Sequence, residues 1–402
     1  MKYLVLLCDG MADTPVPELG FKTPMEAAFK PNMDRLARKA CLGLAKTVPE
    51  GMKPGSDVAN LSVLGYRPAE CYTGRSPLEA ASMGIDLKPE EYAVRCNLVT
   101  LSGEPDYGEK TMADYCAGDI STGEAAQLIE TLNEQLPAGM RLVPGVSYRH
   151  CLVWENPSPD LGELTPPHDI SGKKIGQYLP DPQKAGLLRE WMEKSCRILP
   201  DHPVNRKREA EGKRPANAVW FWGQGRKAEL AQFSDKFGVK ASVISAVDLL
   251  KGIGRLAGME VLDVPGATGY LDTNFEGKAA AAADAFRRGQ DLVYLHLEAP
   301  DECGHRGETE NKVRAIEWID RRVLGPVLSY LEGQGDFRVL IMPDHPTPLA
   351  VKTHTAEPAP FLLYDSREPQ PGASAFTEKL AAQSGVFLDD ASHLMELLIH
   401  WK

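Results

Sequence analysis

Three short apolar runs each end in an acidic residue: LVLLCDG delivers Asp9, LVYLHLEAPD delivers Asp301, and RVLIMPDH delivers Asp344 followed by His345. If those runs are parallel strands of one sheet, their carboxyl ends open on a common crevice and the three carboxylates converge there. Clustered carboxylates repel one another unless positive charge lies among them, and divalent metal is the simplest source. Histidines extend the donor set. Asp301 and His305 stand four apart in DECGH, which puts both on one face of a helical turn, and His354 follows in THTAEP. These donors suffice for two ions. Their mixture of carboxylate and imidazole suits Mn2+ or Zn2+ better than Ca2+, with Mg2+ expected to bind less well. Taken singly, each aspartate is more often a turn former or helix cap and each histidine more often a surface residue; their joint placement at three strand ends points to a metal centre.

A nucleophile stands in PEGMKPGSDVANLSVLGY, where a loop of glycine and proline leads to Ser56 and then to apolar residues Val58, Leu61 and Leu64 at helical spacing. On spacing alone, capping the helix is the commoner role for such a serine. The same geometry also serves chemistry, because a helix N-terminus offers free N–H groups and a positive dipole end to a phosphate. A metal on the Ser56 oxygen would lower its pKa and make it a nucleophile.

The elements that must hold these residues are legible as alternating patterns. Runs at 3–8, 218–222, 241–245, 261–264, 292–297, 339–342 and 361–364 read as buried strands. Helical patterns at 32–40, 227–237, 246–257, 274–288 and 310–332 lie between most of them. The expected fold is therefore α/β: a doubly wound, mostly parallel sheet built from residues 1–79 and 211–402. Residues 80–210 are richer in proline and charge and form the expected inserted α+β domain, with its exit at the polar stretch HPVNRKREAEGKRPAN before AVWFW.

The 402 residues are 43% hydrophobic and 25% charged, enough for about two domains with a sizeable core. A formal charge of −11 without a dense Lys/Arg run excludes a general nucleic-acid binder. The apolar run at the start is too short and too soon followed by Asp9 to read as a signal peptide, and no run approaches the ~20 residues of a membrane span. Eight scattered cysteines without a Cys-x-x-Cys pair fit reduced thiols in the cytoplasm. The patterns do not specify an oligomeric state, and a monomer is mildly preferred.

The motifs DGMAD (9–13), TPMEAAFKPNMDRLA (23–37), PGSDVANLSVLGY (54–66) and YTGRSPLEAASMGI (72–85) resemble the cofactor-independent phosphoglycerate mutases of the archaeal type, within the alkaline-phosphatase superfamily. YRHCLVW (148–154), PPHDISG (166–172), WGQG (222–225), ISAVDLLKGIG (244–254), PGATGYLDTN (265–274), HLEAPDECGHRGE (296–308) and MPDHPTP (342–348) carry the resemblance over nearly the whole chain. One position departs: the family pattern is usually GRGPLEA, and Ser76 stands here at the second glycine.

The resemblance implies an alkaline-phosphatase-like fold and two metal sites, one from Asp9, Ser56, Asp344 and His345, the other from Asp301, His305 and His354. It implies that Ser56 takes the phosphoryl group from a small phosphorylated hydroxy acid, 3-phosphoglycerate, and returns it to the neighbouring hydroxyl to give 2-phosphoglycerate, without free bisphosphoglycerate. The inserted domain would supply Arg75, Arg95, Arg149 and His150 as clamps for carboxylate and phosphate, with Asp114 and His168 as proton carriers. Each arginine could equally serve a structural ion pair. The segments DHPVNRKREAEGKRPAN (201–217) and GYLDTN (269–274) also resemble a bacterial branch read as homoserine kinases, a use of the same serine and metals on another hydroxy acid. The intact ligand set speaks against a relative retained only for binding.

Overall fold

The structure, a computed structural model, describes residues 1–400. The chain divides into two compact units, Met1–Tyr72 with Glu229–Lys402, and Thr73–Ala228. Among the described residues the strands are β1 (Lys2–Cys8), β2 (Cys41–Ala45), β3 (Glu91–Leu101), β4 (Met112–Asp114), β5 (Met140–Val143), β6 (Arg149–Glu155), β7 (Ala218–Arg226), β8 (Ala241–Ile244), β9 (Glu260–Leu262), β10 (Leu292–Leu297), β11 (Phe337–Met342), β12 (Ala359–Asp365) and β13 (Phe387–Leu388).

In the first unit eight strands form one sheet in the order β13–β2–β12–β11–β1–β10–β8–β9. The run β11–β1–β10–β8–β9 is parallel throughout. β12 is antiparallel to both of its neighbours. The first unit is thus the expected α/β fold with a mostly parallel sheet. Leu4 to Cys8 are all 0% exposed, which explains why β1 shows no polar alternation: both of its faces are covered, so every position is apolar. One core cluster joins Leu4, Leu6 and Cys8 of β1 to Phe275 and Phe286 and to Ile316, Leu324 and Leu331 on the helices that follow β9 and β10.

Two helices are shorter or more broken than their patterns predict. The pattern at 227–237 is helical only over Phe233–Phe237. The one at 310–332 runs as Thr309–Trp318, a π-helical stretch Ile319–Leu324, and Gly325–Glu332. Pro326 has no N–H to give the preceding turn, so the ladder widens before it.

The run at 218–222 is a strand of the other sheet. β7 pairs antiparallel with β3 in the second unit, where β6 flanks β3 on its other side, β5 lies beyond β6, and β4 pairs with the end of β3. Helix Arg75–Ser82 packs Ala80 against Ala93, Cys151 and Val153 of the same sheet. The units therefore divide at 72/73 and 228/229, not at 79/80 and 210/211 as the change in composition predicts. A buried apolar run looks alike in either sheet, and its partner strand is not written in it. No helix among the described residues is long and apolar enough to cross a membrane.

Candidate metal centre and nucleophile

β11, β1 and β10 are adjacent and parallel, so their carboxyl ends lie side by side. Asp9 follows β1 directly, Asp344 lies just past β11, and Asp301 sits in the first turn of helix Ala299–Arg306 after β10. Gly10 makes the convergence feasible. It turns at φ +60°, and a β-carbon there would lie 2.5 Å from Asp301 Oδ1 and 2.6 Å from Thr347 Oγ1.

His305 Nε2 is 3.2 Å from Asp301 Oδ2, and His354 Nε2 is 3.5 Å from Asp301 Oδ1. The two Nε2 atoms face each other at 2.9 Å, while His305 Nδ1 is fixed 3.1 Å from the Lys352 carbonyl. His345 Nε2 is 3.3 Å from Asp344 Oδ2 and 3.7 Å from Asp9 Oδ1. The rings of His345 and His354 lie 4.1 Å apart, joining both donor groups in one cluster. Asp344 is held by the N–H groups of Gly10 (3.2 Å) and His345 (3.0 Å) on Oδ1.

Electrostatics in the cluster follow from burial and like charge. Burial, then the Asp344 and Asp301 carboxylates, push the Asp9 carboxyl well above its usual range, with His296 opposing. Burial acts on Asp301 too, but hydrogen bonds with His305 and His354 and the nearby imidazoles hold it well below that range. His305 is raised to about 8, chiefly by its hydrogen bond to Asp301. Burial lowers His345 against the pull of Asp344, and the lowering favours the neutral ring. The donors fit divalent cations. Asp9 Oδ1 is buried without a hydrogen-bond partner, and ligand atoms of Asp301, His305 and His354, of Asp9, His296 and Asp344, and of Asp9, Asp301 and His345 lie within 4.8 Å of one another in each group.

Ser56 is the first residue of helix Ser56–Val63, whose N-cap is Gly55, a residue without a side chain to cap it, and the Val58 N–H donates instead to Asp57 Oδ1 at 2.9 Å. The capping role open to Ser56 from spacing is therefore not the one it fills. Its Oγ lies 3.1 Å from His345 Nε2.

The arginines gather in the second unit. Glu79 pairs with Arg75 (2.8 Å) and with Arg95 (3.0 Å), and Arg95 lies 4.1 Å over the Trp222 ring. Burial, with the charges of Arg75 and Arg149 nearby, lowers Arg95 to about 10 against the pull of Glu79. His168 stands edge-on to Trp222 at 5.3 Å, and burial, together with Arg95 and Arg75, lowers its pKa. His150 is apart from this group. Neighbouring residues of a strand point to opposite faces, so His150 leaves Arg149 for the buried side, where its Nδ1 accepts from Gly145 N–H and burial lowers it to about 4. Against burial, Asp114 is held at about 2 by hydrogen bonds from the Cys116 thiol and N–H, its pairing with Arg214 at 2.9 Å and the Gly118 N–H.

Residues 37–205 match the family model for 2,3-bisphosphoglycerate-independent phosphoglycerate mutase. A Geobacter sulfurreducens protein named as a probable member is 50% identical over 99% of this chain and 100% of its own length. A Methanothrix thermoacetophila mutase of the same name is also 50% identical, over 99% and 100%. The chain belongs to the 2,3-bisphosphoglycerate-independent phosphoglycerate mutase family. Among solved structures, the PH0037 protein of Pyrococcus horikoshii matches with a TM-score of 0.82 and 28% identity over 99% of this chain and 96% of that one. The cofactor-independent phosphoglycerate mutase of Thermoplasma acidophilum matches with 0.67 and 27% identity over 100% and 99%.

Several polar residues buried behind the cluster of this phosphoglycerate mutase family member escape a motif-based reading. His296 Nε2 is 3.0 Å from Asp9 Oδ2, and its Nδ1 is 3.2 Å from Glu298 and 3.1 Å from Ser245. Lys278, 0% exposed, pairs with Glu298. Lys312 pairs with Asp13 at 2.8 Å, and both side chains are fully buried. The available signal was a histidine and a glutamate interrupting the apolar run LVYLHLEAP and single lysines on apolar helix faces.

Proposed function

We propose that this chain interconverts 3-phosphoglycerate and 2-phosphoglycerate through a phosphoserine at Ser56. The observation that carries the reading is the place of Ser56: first in its helix, free of a capping role, and 3.1 Å from His345 inside the Asp/His cluster. The names of the full-length relatives support the substrate. In the first half-reaction Ser56 Oγ bonds to phosphorus as the bond from phosphorus to the glycerate oxygen breaks, and the freed hydroxyl takes the proton that Ser56 releases. After glycerate reorients, its other hydroxyl attacks the phosphoserine, the bond to Ser56 breaks, and the proton returns to Oγ. The exchange balances without a second phosphate donor.

Asp9, Ser56, Asp344 and His345 would hold one divalent ion and Asp301, His305 and His354 the other, Mn2+ fitting this donor set first and Zn2+ or Mg2+ after it. Bound there, such ions offset the carboxylates, lower the serine pKa and stabilise charge on the phosphoryl oxygens. The helix start offers N–H groups to the phosphoryl oxygens. Arg75, Arg95 and Arg149 bind the anionic ends of the substrate through their forked donors, and His168 carries protons for the glycerate hydroxyls. Asp114 takes a structural role, given the partners it already has, whereas His150 keeps a buried Nε2 without a hydrogen-bond partner. One chain supplies every donor, so a monomer suffices, and eight unpaired cysteines fit a reducing cytoplasm.

The test is turnover of 3-phosphoglycerate coupled to enolase, with Mn2+ and without bisphosphoglycerate or nucleotide. Wild type is expected to turn over, and Ser56→Ala to lose activity by ~10³-fold or more. Inactivity of the Mn2+-loaded wild type, with phosphorylation of homoserine by ATP, would replace the mutase with the kinase.

A further inference from the structure

Asn60 lies one helical turn beyond Ser56 and is 0% exposed. Its Nδ2 donates to the Ser56 carbonyl (2.8 Å) and to Asp344 Oδ2 (2.9 Å). Its Oδ1 accepts from the hydroxyl of Tyr294, itself fully buried in β10, at 2.6 Å. The amide can face only one way. Turned over, its oxygen would meet the Ser56 carbonyl and the Asp344 carboxylate, both acceptors, with no hydrogen between them.

We propose that Asn60 is a positioning residue for phosphoryl transfer, fixing the Ser56 backbone against the Asp344 carboxylate through an amide that Tyr294 orients. The inference rests on Ser56 as nucleophile and Asp344 as metal ligand. An apolar residue would fill the site without the cost of burying an amide, so the three hydrogen bonds, and their targets, account for the residue chosen. Two of those targets belong to the chemistry and come from opposite ends of the chain: the helix that carries the nucleophile and the loop after β11. Gly10 and His345 N–H groups hold Asp344 Oδ1, and Asn60 holds Oδ2, so the carboxylate has one orientation in which to meet an ion. Tyr294 makes that orientation independent of the ion, because its hydroxyl reaches the amide from the sheet itself.

The experiment compares full-length wild type, Asn60→Ala, Asn60→Asp, Tyr294→Phe and Ser56→Ala, all shown to melt cooperatively. The enolase-coupled assay reads kcat and KM, and calorimetric titration of the metal-free proteins reads each Mn2+ affinity. Asn60→Asp is nearly the same size but offers an acceptor where a donor is needed. It is expected to lower kcat by ~10²-fold with KM little changed, and to weaken one Mn2+ binding step by ~10–100-fold while sparing the other. Tyr294→Phe, a single-atom deletion that keeps the fold if Asn60→Ala does not, is expected to follow in the same direction with a smaller loss. A kcat and both Mn2+ affinities within twofold of wild type in Asn60→Asp and Tyr294→Phe, with Ser56→Ala inactive, would overturn the positioning role alone. Full activity of Ser56→Ala would overturn the nucleophile and the inference together.

Discussion

Ser76 is the second residue of helix Arg75–Ser82, is 1% exposed, and has a hydroxyl without a hydrogen-bond partner. A buried polar group in that state costs about 1–3 kcal/mol. Ser76→Ala keeps the β-carbon, removes the orphan oxygen and favours the helix, so it is expected to stabilise by about 1 kcal/mol. A urea midpoint that stays level or falls would mean that the hydroxyl has a partner in solution. Among single residues, Asp9, Asp301 and Asp344 were readable because each sits where an apolar run stops. His296 and Asn60 were not. A polar residue inside an apolar pattern signals burial with a partner, and the partner, Asp9 or Asp344, becomes a neighbour only when β1, β10 and β11 assemble. Ser56 was half readable: spacing located the helix start, but only the position of Gly55 as cap freed the serine for another role.

Turns limit what the elements can do. The turn after β1 passes so close to Asp301 and Thr347 that Gly10 has no room for a side chain and adopts a left-handed backbone. Gly10→Ala is expected to cost about 2 kcal/mol or more in stability and to reduce bound metal, because the β-carbon would displace Asp301. The check is urea denaturation together with metal content after dialysis against limiting Mn2+; unchanged values in both would contradict the crowding. Strands β1, β10 and β11 were legible as continuous apolar runs. β2 was not, since CLGLA is short and carries a glycine, and the place of β7 was misassigned for want of any sign of its partner. Helix 310–332 read as one element because its apolar period persists through the π-helical stretch.

For the whole molecule, one of the groups through which pH acts is a buried carboxyl away from the cluster, Glu378. Burial pushes Glu378 up to about 7, against hydrogen bonds from the Asp13 N–H and the Thr23 hydroxyl and with Glu26 adding to the rise. Between the ordinary glutamate range near 4.5 and 7 the folded protein keeps a proton that the unfolded chain has lost. Its stability therefore falls as pH rises through that window, and the loss is complete above it. Glu378→Gln, which imitates the protonated side chain, is expected to melt higher than wild type at pH 8 and to match it at pH 4.5. Parallel melting curves across the window would exclude this carboxyl as a source of the slope. The order of the chain has its own effect at this scale. Tyr3 pairs with Leu292, and Lys2 with Phe337, while the whole of Thr73–Ala228 lies between. During synthesis the second unit therefore has all of its strands while β1 of the first still lacks both of its neighbours, β10 and β11. Asp9 and Ser56 leave the ribosome early, and the Asp/His cluster cannot close until Asp301, Asp344, His345 and His354 have followed.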